Sequence, residues 1–419
     1  MNLNEIKGAI GSVDLGALYR DTERGRARLL SLVDRFRQKY GERDEAMLLS
    51  APGRSEICGN HTDHNLGLCI AAAIDRDIIA VAAPRDDGRI RVQSEGRRED
   101  ELTVSAAAHA NNFQHFRSVS LIAGVVGGFI KRGYRVGGFD AYTATEVLSG
   151  SGLSSSAAFE VMIGNILNHL YNDGKIDNKE IAKIAQYAEN EYFGKPSGLL
   201  DQMASAVGGF VYIDFGHRDP VVEPIGFSLD KAGYRLAIVA TGGSHADLNE
   251  EYASIPREMK TVASALGRKY MSGISSRELI SAIPSLRGRV TDRALLRAVH
   301  FIDECERVKA MHEALKRADM PEVLRIHRAS GHSSFEYLQN VYTPKHEGQP
   351  MSLALAISDS YLSGKAASMR VHGGGFAGTV QVLLPEECAE EYAKTADSVF
   401  GEGACMLLSV RAAGAVRIL

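Results

Sequence analysis

The run Gly150-Ser-Gly-Leu-Ser-Ser-Ser-Ala-Ala158 constrains this sequence most, because the clearest helical period in the chain follows it at once. Phe159, Met162, Ile163, Ile166, Leu167 and Leu170 fall at i, i+3, i+4, i+7, i+8 and i+11, the spacing of one buried helical face. Small residues ahead of a helix let backbone N–H groups approach an anion, and the first turn adds unpaired donors and the positive end of the helix dipole. Read alone, the run is either a phosphate cradle or a serine-capped turn between a strand and a helix. It is not a Walker loop, since G-x-x-x-x-G-K-[ST] is absent, and the third glycine of a dinucleotide fingerprint is missing.

Glycine is over-represented throughout: 42 of 419 residues, about 13 more than average usage near 7% would give. With only 11 prolines, the surplus points to turns and to backbone that must lie close to something, rather than to linker. The remaining composition, 45% hydrophobic and 24% charged, is that of a globular chain long enough for two or three domains. Lys and Arg number 48 against 52 Asp and Glu, and they are dispersed, so no basic footprint for nucleic acid is present. No 18 apolar residues run together and the first residues lack the apolar core of a signal peptide, so no membrane partner and a cytoplasmic location are expected. Cys58, Cys69, Cys305, Cys388 and Cys405 are odd in number and unpatterned, which suggests small reduced core residues.

Residues 1 to about 45 read as a helical extension, with Leu29, Leu30, Val33 and Phe36 at helical spacing. From about 46 the texture is strand-like, as in IIAVAAP and RIRVQS. A second helix is expected from about Lys179, capped by Asp177 or Asn178. Glu189 would sit at the inner edge of its apolar stripe, where a carboxylate is costly without a partner. The segment GHRDPVVEPIG, with two prolines between strand-like runs, is the expected boundary between an N-terminal domain over 1–215 and a C-terminal one over 216–419.

Three further segments could carry chemistry. Ala51 to Gly67 gathers one Arg, two His and one Asp between glycines in a loop-like stretch, which suits recognition of a polyhydroxyl ligand. His61 and His64 stand three apart, as a zinc pair would, but no third ligand stands out. Gly373-Gly-Gly-Phe-Ala-Gly378 leads into a strand, and Asp201 follows the glycine turn Ser197-Gly-Leu-Leu.

Together and in this order, these elements resemble the GHMP small-molecule kinases and, within them, the galactokinase family. The family's sugar signature P-G-R-x-N-x-I-G-E-H-T-D-Y-N-x-G is matched by Pro52-Gly-Arg-Ser-Glu-Ile-Cys-Gly-Asn-His-Thr-Asp-His-Asn-Leu-Gly67. Its phosphate loop G-x-G-L-S-S-S-A is matched unchanged from Gly150 to Ala157. Its A-E-N…G-I-M-D-Q segment is matched by Ala188-Glu-Asn through Gly198-Leu-Leu-Asp-Gln202, and its G-G-G-F-G-G-C loop by Gly373 to Thr379. A weaker echo of its R-H-V…E…R-V helix lies over His300 to Val308, so the resemblance spans about 45 to 384.

The resemblance implies an α+β fold of two lobes, an N-terminal one like ribosomal S5 domain 2 and a C-terminal ferredoxin-like one. It implies ATP as co-substrate with Mg²⁺, a monosaccharide acceptor and a sugar 1-phosphate product. Carried over by position, Gly150, Ser151, Gly152, Leu153, Ser154, Ser155 and Ser156 would wrap the ATP phosphates, with Ser94 a further nucleotide contact. Ser156 and Glu189 would hold Mg²⁺, Asp201 would be the base, and Arg54 would stabilise the transferring phosphoryl group. Asn60, His61, Asp63, Gly198 and Tyr252 would contact the sugar.

Departures concentrate in the sugar segment, where Asn60 replaces Glu and His64 replaces Tyr. A neutral residue 60 removes a repulsion and makes a uronic acid admissible, as in the plant galacturonic-acid kinases, which also lack that Glu. A non-catalytic sugar sensor of the same family is a further alternative. Sensors tend to alter the serine loop, however, and here it is intact.

Overall fold

A computed structural model describes residues 1–147, 152–195, 197–242, 248–343, 345–376 and 378–419. Its strands are β1 (Met47–Cys58), β2 (Leu68–Arg85), β3 (Arg89–Ser94), β4 (Asp100–Thr103), β5 (Gly138–Thr145), β6 (Phe210–Asp214), β7 (Val221–Ile225), β8 (Tyr234–Ala240), β9 (Ser368–His372), β10 (Thr379–Pro385), β11 (Cys405–Leu408) and β12 (Val416–Arg417). The α-helices are α1 (Leu3–Ile10), α2 (Thr22–Tyr40), α3 (Val104–Ala107), α4 (Ser118–Lys131), α5 (Ser155–Tyr171), α6 (Asn178–Ala188), α7 (Leu200–Val207), α8 (Asn249–Ala265), α9 (Ser276–Leu286), α10 (Asp292–Lys316), α11 (Met320–Ser333), α12 (Pro350–Tyr361) and α13 (Glu386–Phe400). Eight strands form one sheet in the order β12-β1-β2-β5-β3-β4, extended by β6 and β7 from β2; the other sheet runs β11-β8-β10-β9.

Alternation along β1 and β2 explains how the first sheet is buried. Met47, Leu49, Ala51, Ile78, Ala80 and Ala82 face a core that includes residues of α4 to α7. Leu48, Ile79, Val81 and Ala83 face the opposite way, onto Leu3, Ile6, Leu29, Val33 and Phe36 of α1 and α2. A strand covered on both faces reads as a continuous apolar run, which is why IIAVAAP shows no alternation in the sequence. The N-terminal helices are thus a layer of the first lobe rather than an appendage to it.

Two expectations change here. The boundary expected at 215/216 falls inside an antiparallel hairpin, since β6 and β7 pair from Phe210 with Ile225 to Asp214 with Val221. The chain leaves the first sheet only between Ile225 and Tyr234, and it returns at the end, where β12 pairs with β1. The prolines misled because one of them, Pro224, lies on an edge strand, where a missing N–H is tolerated. The stretch 51–67 is also less loop-like than expected, because Met47 to Cys58 are one strand, with register shifts between Pro52 and Arg54 and between Glu56 and Cys58. Such bulges bend a strand and re-aim its side chains.

The helical reading holds more closely. α5 starts at Ser155 and α6 is capped by Asp177, whose side chain accepts from Lys179 N. α5 is buried on more than the expected stripe, since Glu160, Val161, Asn165 and Asn168 are buried while Phe159 and Leu170 are only partly so. The five cysteines are unpaired. No helix of the described residues is long and apolar enough to cross a membrane.

Candidate active site

Arg54 leaves β1 toward the serine loop and the start of α7. Its Nε donates to Asp201 Oδ1 at 2.7 Å and its NH1 to Gly152 O at 2.5 Å, while its backbone N–H donates to Leu153 O at 3.1 Å. The loop can lie this close because residue 53 is glycine: a Cβ there would stand 2.9 Å from Leu153 O. Ser154 adopts the left-handed conformation, φ 61° and ψ 60°, and sends its hydroxyl to Asp201 Oδ2 at 2.5 Å instead of capping α5. The residue before α5 therefore gives its N-terminus no side-chain cap.

Burial pushes the Asp201 carboxyl up, but the Arg54 charge and the hydrogen bonds from Arg54 and Ser154 outweigh it and hold the carboxyl below its ordinary range. Asp201 is thus ionised at neutral pH and carries a donor on each oxygen. Its place in the first turn of α7 adds the favourable end of that helix dipole.

Glu189 has the partners that its buried position requires. Ser156 Oγ donates to Oε1 at 3.0 Å, Lys195 Nζ to the same oxygen at 2.8 Å, and Gln202 Nε2 to Oε2 at 2.8 Å. A cation therefore already stands at the oxygen that Ser156 shares. One carboxylate and one hydroxyl are hard oxygen donors of the kind Mg²⁺ takes alongside water and phosphate oxygens. Gln202 also donates to Glu160 Oε2 at 3.1 Å, and burial and the Glu189 charge push the Glu160 carboxyl well up.

The turn after β1 is pinned from the C-terminal lobe. Glu304 of α10 accepts from Gly59 N at 2.9 Å, from Ser330 Oγ at 2.5 Å and from Arg307 Nε at 2.6 Å. His300, burial of which lowers its pKa to about 4, bonds Asn60 O through Nε2 at 3.0 Å, so that nitrogen carries the proton. His61 likewise bonds Gly374 O through Nε2 at 2.9 Å, and burial holds it down to about 4, which leaves a neutral ring with Nδ1 free to accept. Asp63 faces Gly198 so closely that a Cβ on Gly198 would stand 2.0 Å from Asp63 Oδ2.

Asn60 is 1% exposed, and its amide is filled by the protein itself: Nδ2 donates to Glu56 Oε1 at 3.0 Å and to Gly373 O at 2.8 Å, while Oδ1 accepts from Asn340 Nδ2 at 2.8 Å and Ser334 Oγ at 3.3 Å. With two donors and two acceptor positions occupied, its amide is spent within the protein and holds the loop. Tyr252 closes the other side, its hydroxyl donating to Gly375 O at 2.7 Å and its ring edge-on to Phe376 at 5.5 Å. Ser94 ends β3 and accepts from Thr143 Oγ1 at 3.1 Å; among the described residues no hydrogen bond joins it to the serine loop. Gly150 and Ser151 lie outside the described residues.

Glu56, Arg370, Lys195, Gln202 and Asn340 belong to this site and were not singled out from the sequence. Glu56 and Gln202 lie inside matched segments, Arg370 lies just before the glycine loop, and Asn340 has no local signature. The helix of His300 and Glu304 was visible only as a weak echo, although it holds the sugar turn directly.

The description "GHMP kinases N terminal domain" matches residues 120–209, and "Galactokinase galactose-binding signature" matches residues 34–84. A galactokinase of Streptomyces coelicolor is 30% identical over 372 residues, covering 88% of this chain and 92% of that protein. A galactokinase of Mycobacterium tuberculosis is 29% identical over 356 residues, covering 82% and 91%. In fold, the chain is similar to a Lactococcus lactis galactokinase complexed with galactose, with a TM-score of 0.80 at 22% identity over 93% of this chain and all of that one. A mevalonate kinase of Methanococcus jannaschii follows with a TM-score of 0.62 at 16% identity over 88% of this chain. The two-lobed α+β architecture, the serine loop packed on Arg54 and Asp201, and this extent of shared sequence lead to one conclusion: the chain belongs to the galactokinase family of GHMP kinases.

Proposed function

We propose that this protein transfers the γ-phosphoryl group of ATP to the anomeric hydroxyl of galactose, giving galactose 1-phosphate and ADP. The observation that carries this reading is the Arg54–Asp201–Ser154 constellation, in which an ionised carboxylate, a guanidinium and the serine loop converge. Phosphoryl transfer asks little covalent work of a protein and depends on positioning and on spreading negative charge. The first turn of α5 and the hydroxyls of Ser154 and Ser156 would bind the phosphates, and Arg54 would steady the charge on the group in transit.

Asp201 would accept a hydrogen bond from the sugar's anomeric hydroxyl at Oδ2, the oxygen that Ser154 occupies, and take the proton as the new P–O bond forms. The electron pair of the breaking bond passes to the β-phosphate of ADP. Glu189 and Ser156 would hold Mg²⁺, which when bound would supply Lewis-acid neutralisation of the phosphates. His61 through Nδ1 and Asp63 through its carboxylate would take further hydroxyls of the sugar, Gly198 leaves room for Asp63, and Tyr252 flanks the site from the C-terminal lobe.

A coupled ADP-release assay with galactose, galacturonate, N-acetylgalactosamine and arabinose tests the reading. Galactose-dependent ADP formation that requires Mg²⁺ is the expected result. No sugar-dependent turnover, with ATP and sugar both bound, would favour a sensor and overturn it.

A further inference from the structure

Residues 56 and 60 exchange side-chain types relative to the sugar signature. The pattern places Asn where this chain has Glu56, and Glu where it has Asn60. The two positions touch: Asn60 Nδ2 donates to Glu56 Oε1 at 3.0 Å. The same oxygen accepts from NH2 of Arg370 at 3.0 Å, and Arg370 is fully buried with NH1 on Ile57 O at 2.9 Å. Glu56 follows Arg54 by two residues on β1, and the charges of Arg54 and Asp63 both reach its carboxyl.

Charge at the sugar end of the site can then be summed. Burial raises the Glu56 carboxyl, while the Arg370 and Arg54 charges and the Asn60 hydrogen bond favour its ionised form; with Glu56 ionised, Glu56, Asp63 and Asp201 give three negative charges and Arg54 and Arg370 two positive ones, for a total of −1. Asn at 56 with Glu at 60 would give the same total. Replacement of Glu by Asn at residue 60 therefore removes no charge from the site; it moves the carboxylate from the turn onto the strand and keeps it bonded to its former position. On this sum, a neutral residue 60 does not by itself make a uronic acid admissible.

We propose that Glu56 is the specificity-determining carboxylate of this site, anchored by Arg370 and Asn60, and that it selects a neutral hexose against the corresponding uronic acid. The proposal rests on the sugar 1-kinase reading and narrows its substrate to galactose over galacturonate. A substrate carboxylate would enter beside Glu56 and Asp63, where like charges in a partly dry site are strongly unfavourable. Loss of the charge at 56 acts twice in the other direction, since it removes the repulsion and leaves Arg370 as an unpaired cation.

The test measures binding of galactose and of galacturonate to the full-length protein by calorimetry, with ADP release followed separately. The wild type is expected to bind galactose at least roughly tenfold more tightly, and Glu56→Gln to shrink that ratio by roughly tenfold. Equal affinity for the two sugars in the wild type would overturn the proposal, as would an unchanged ratio in a folded Glu56→Gln variant. If Glu56→Gln does not fold, Glu56→Gln with Arg370→Gln, which removes both buried charges together, decides: a ratio shrunk as expected supports the proposal, and an unchanged ratio overturns it. A galactose preference in binding that Glu56→Gln weakens, without ADP formation from any sugar, would refute the kinase reading and uphold the role of Glu56.

Discussion

Arg54 and Asp201 meet through a single N–H···O bond of 2.7 Å that ties the bulged middle of β1 to the first turn of α7. This bond and the Ser154 hydroxyl depress the basicity of the group best placed to receive the sugar's proton. A weakened base is compatible with phosphoryl transfer, whose loose transition state asks less basicity of the group that accepts the hydroxyl proton. Asp201→Asn keeps the size and one hydrogen-bond acceptor but cannot take a proton. Turnover is expected to fall by roughly 10²–10⁴-fold while ATP affinity stays within a few-fold. Single-turnover ADP formation and nucleotide binding check it, and near-wild-type turnover would mean that the base is elsewhere.

Gly198 and Asp63 supply a steric test of the sugar pocket. A methyl group on residue 198 would overlap Asp63 Oδ2, so Gly198→Ala must displace that carboxylate. The expected outcome is a KM for galactose raised by roughly tenfold to a hundredfold with KM for ATP unchanged, since displacement by about 1 Å can cost that much. Equal losses for both substrates would instead indicate a general distortion of the segment before α7.

Much of this site was legible because it depends on local sequence. Spacing left the serine loop and Asp201 open between a site and an ordinary cap, and only the resemblance gave them roles; the need of Glu189 for a partner could be read from the cost of an unpaired carboxylate, and Glu189 has three donors. The surroundings of Asn60 were not legible, because the motif gives its identity and not its neighbours. Its partners Asn340 and Ser334 lie 280 and 274 residues away, and no periodicity reports them. Glu56 escaped notice for a related reason, since its meaning appears only when Arg370, brought in by the C-terminal sheet, is seen against it. The lobe boundary was misplaced because prolines mark the end of a ladder and an edge strand equally well.

Buried imidazoles make stability depend on pH, and His327 and His300 are two of them, beside His61 and His372, which burial also lowers. His327, bonded to Gln381 and Ser368, is lowered to about 3, chiefly by burial and then by the Arg370 charge, with Arg328 also opposing and Glu304 favouring protonation. His300 is lowered to about 4 by burial, with Glu304 opposing that shift and Arg307 and Arg370 adding to it. An unfolded histidine titrates near 6.5, so below that pH the unfolded chain takes up protons that the fold refuses. Stability is therefore expected to be level above about pH 6.5 and to fall toward pH 4, with a slope approaching roughly 2.7 kcal/mol per pH unit from these two groups. Urea unfolding at several pH values checks the slope. His327→Gln should remove about one proton from it, and an unchanged slope would exclude His327 as a source.

The N-terminal helices should prove indispensable to the first lobe. Asp77 of β2 is wholly buried and accepts from Tyr19 Oη at 2.5 Å, Ser50 Oγ at 2.5 Å, Arg28 NH1 at 2.9 Å and Arg411 NH1 at 3.3 Å. Four segments of chain thus meet on one carboxylate, two of them within the first 45 residues. Removal of 1–45 would take away Tyr19 and Arg28 and uncover Leu48, Ile79, Val81 and Ala83. No soluble, cooperatively folded protein is expected from that truncation. Tyr19→Phe is the graded version: it deletes one donor to a buried carboxylate and is expected to cost about 1–3 kcal/mol in urea unfolding without altering KM for either substrate. A fully stable truncated chain would show that α1 and α2 merely rest on the sheet, and that Ser50 and Arg411 are enough to hold Asp77.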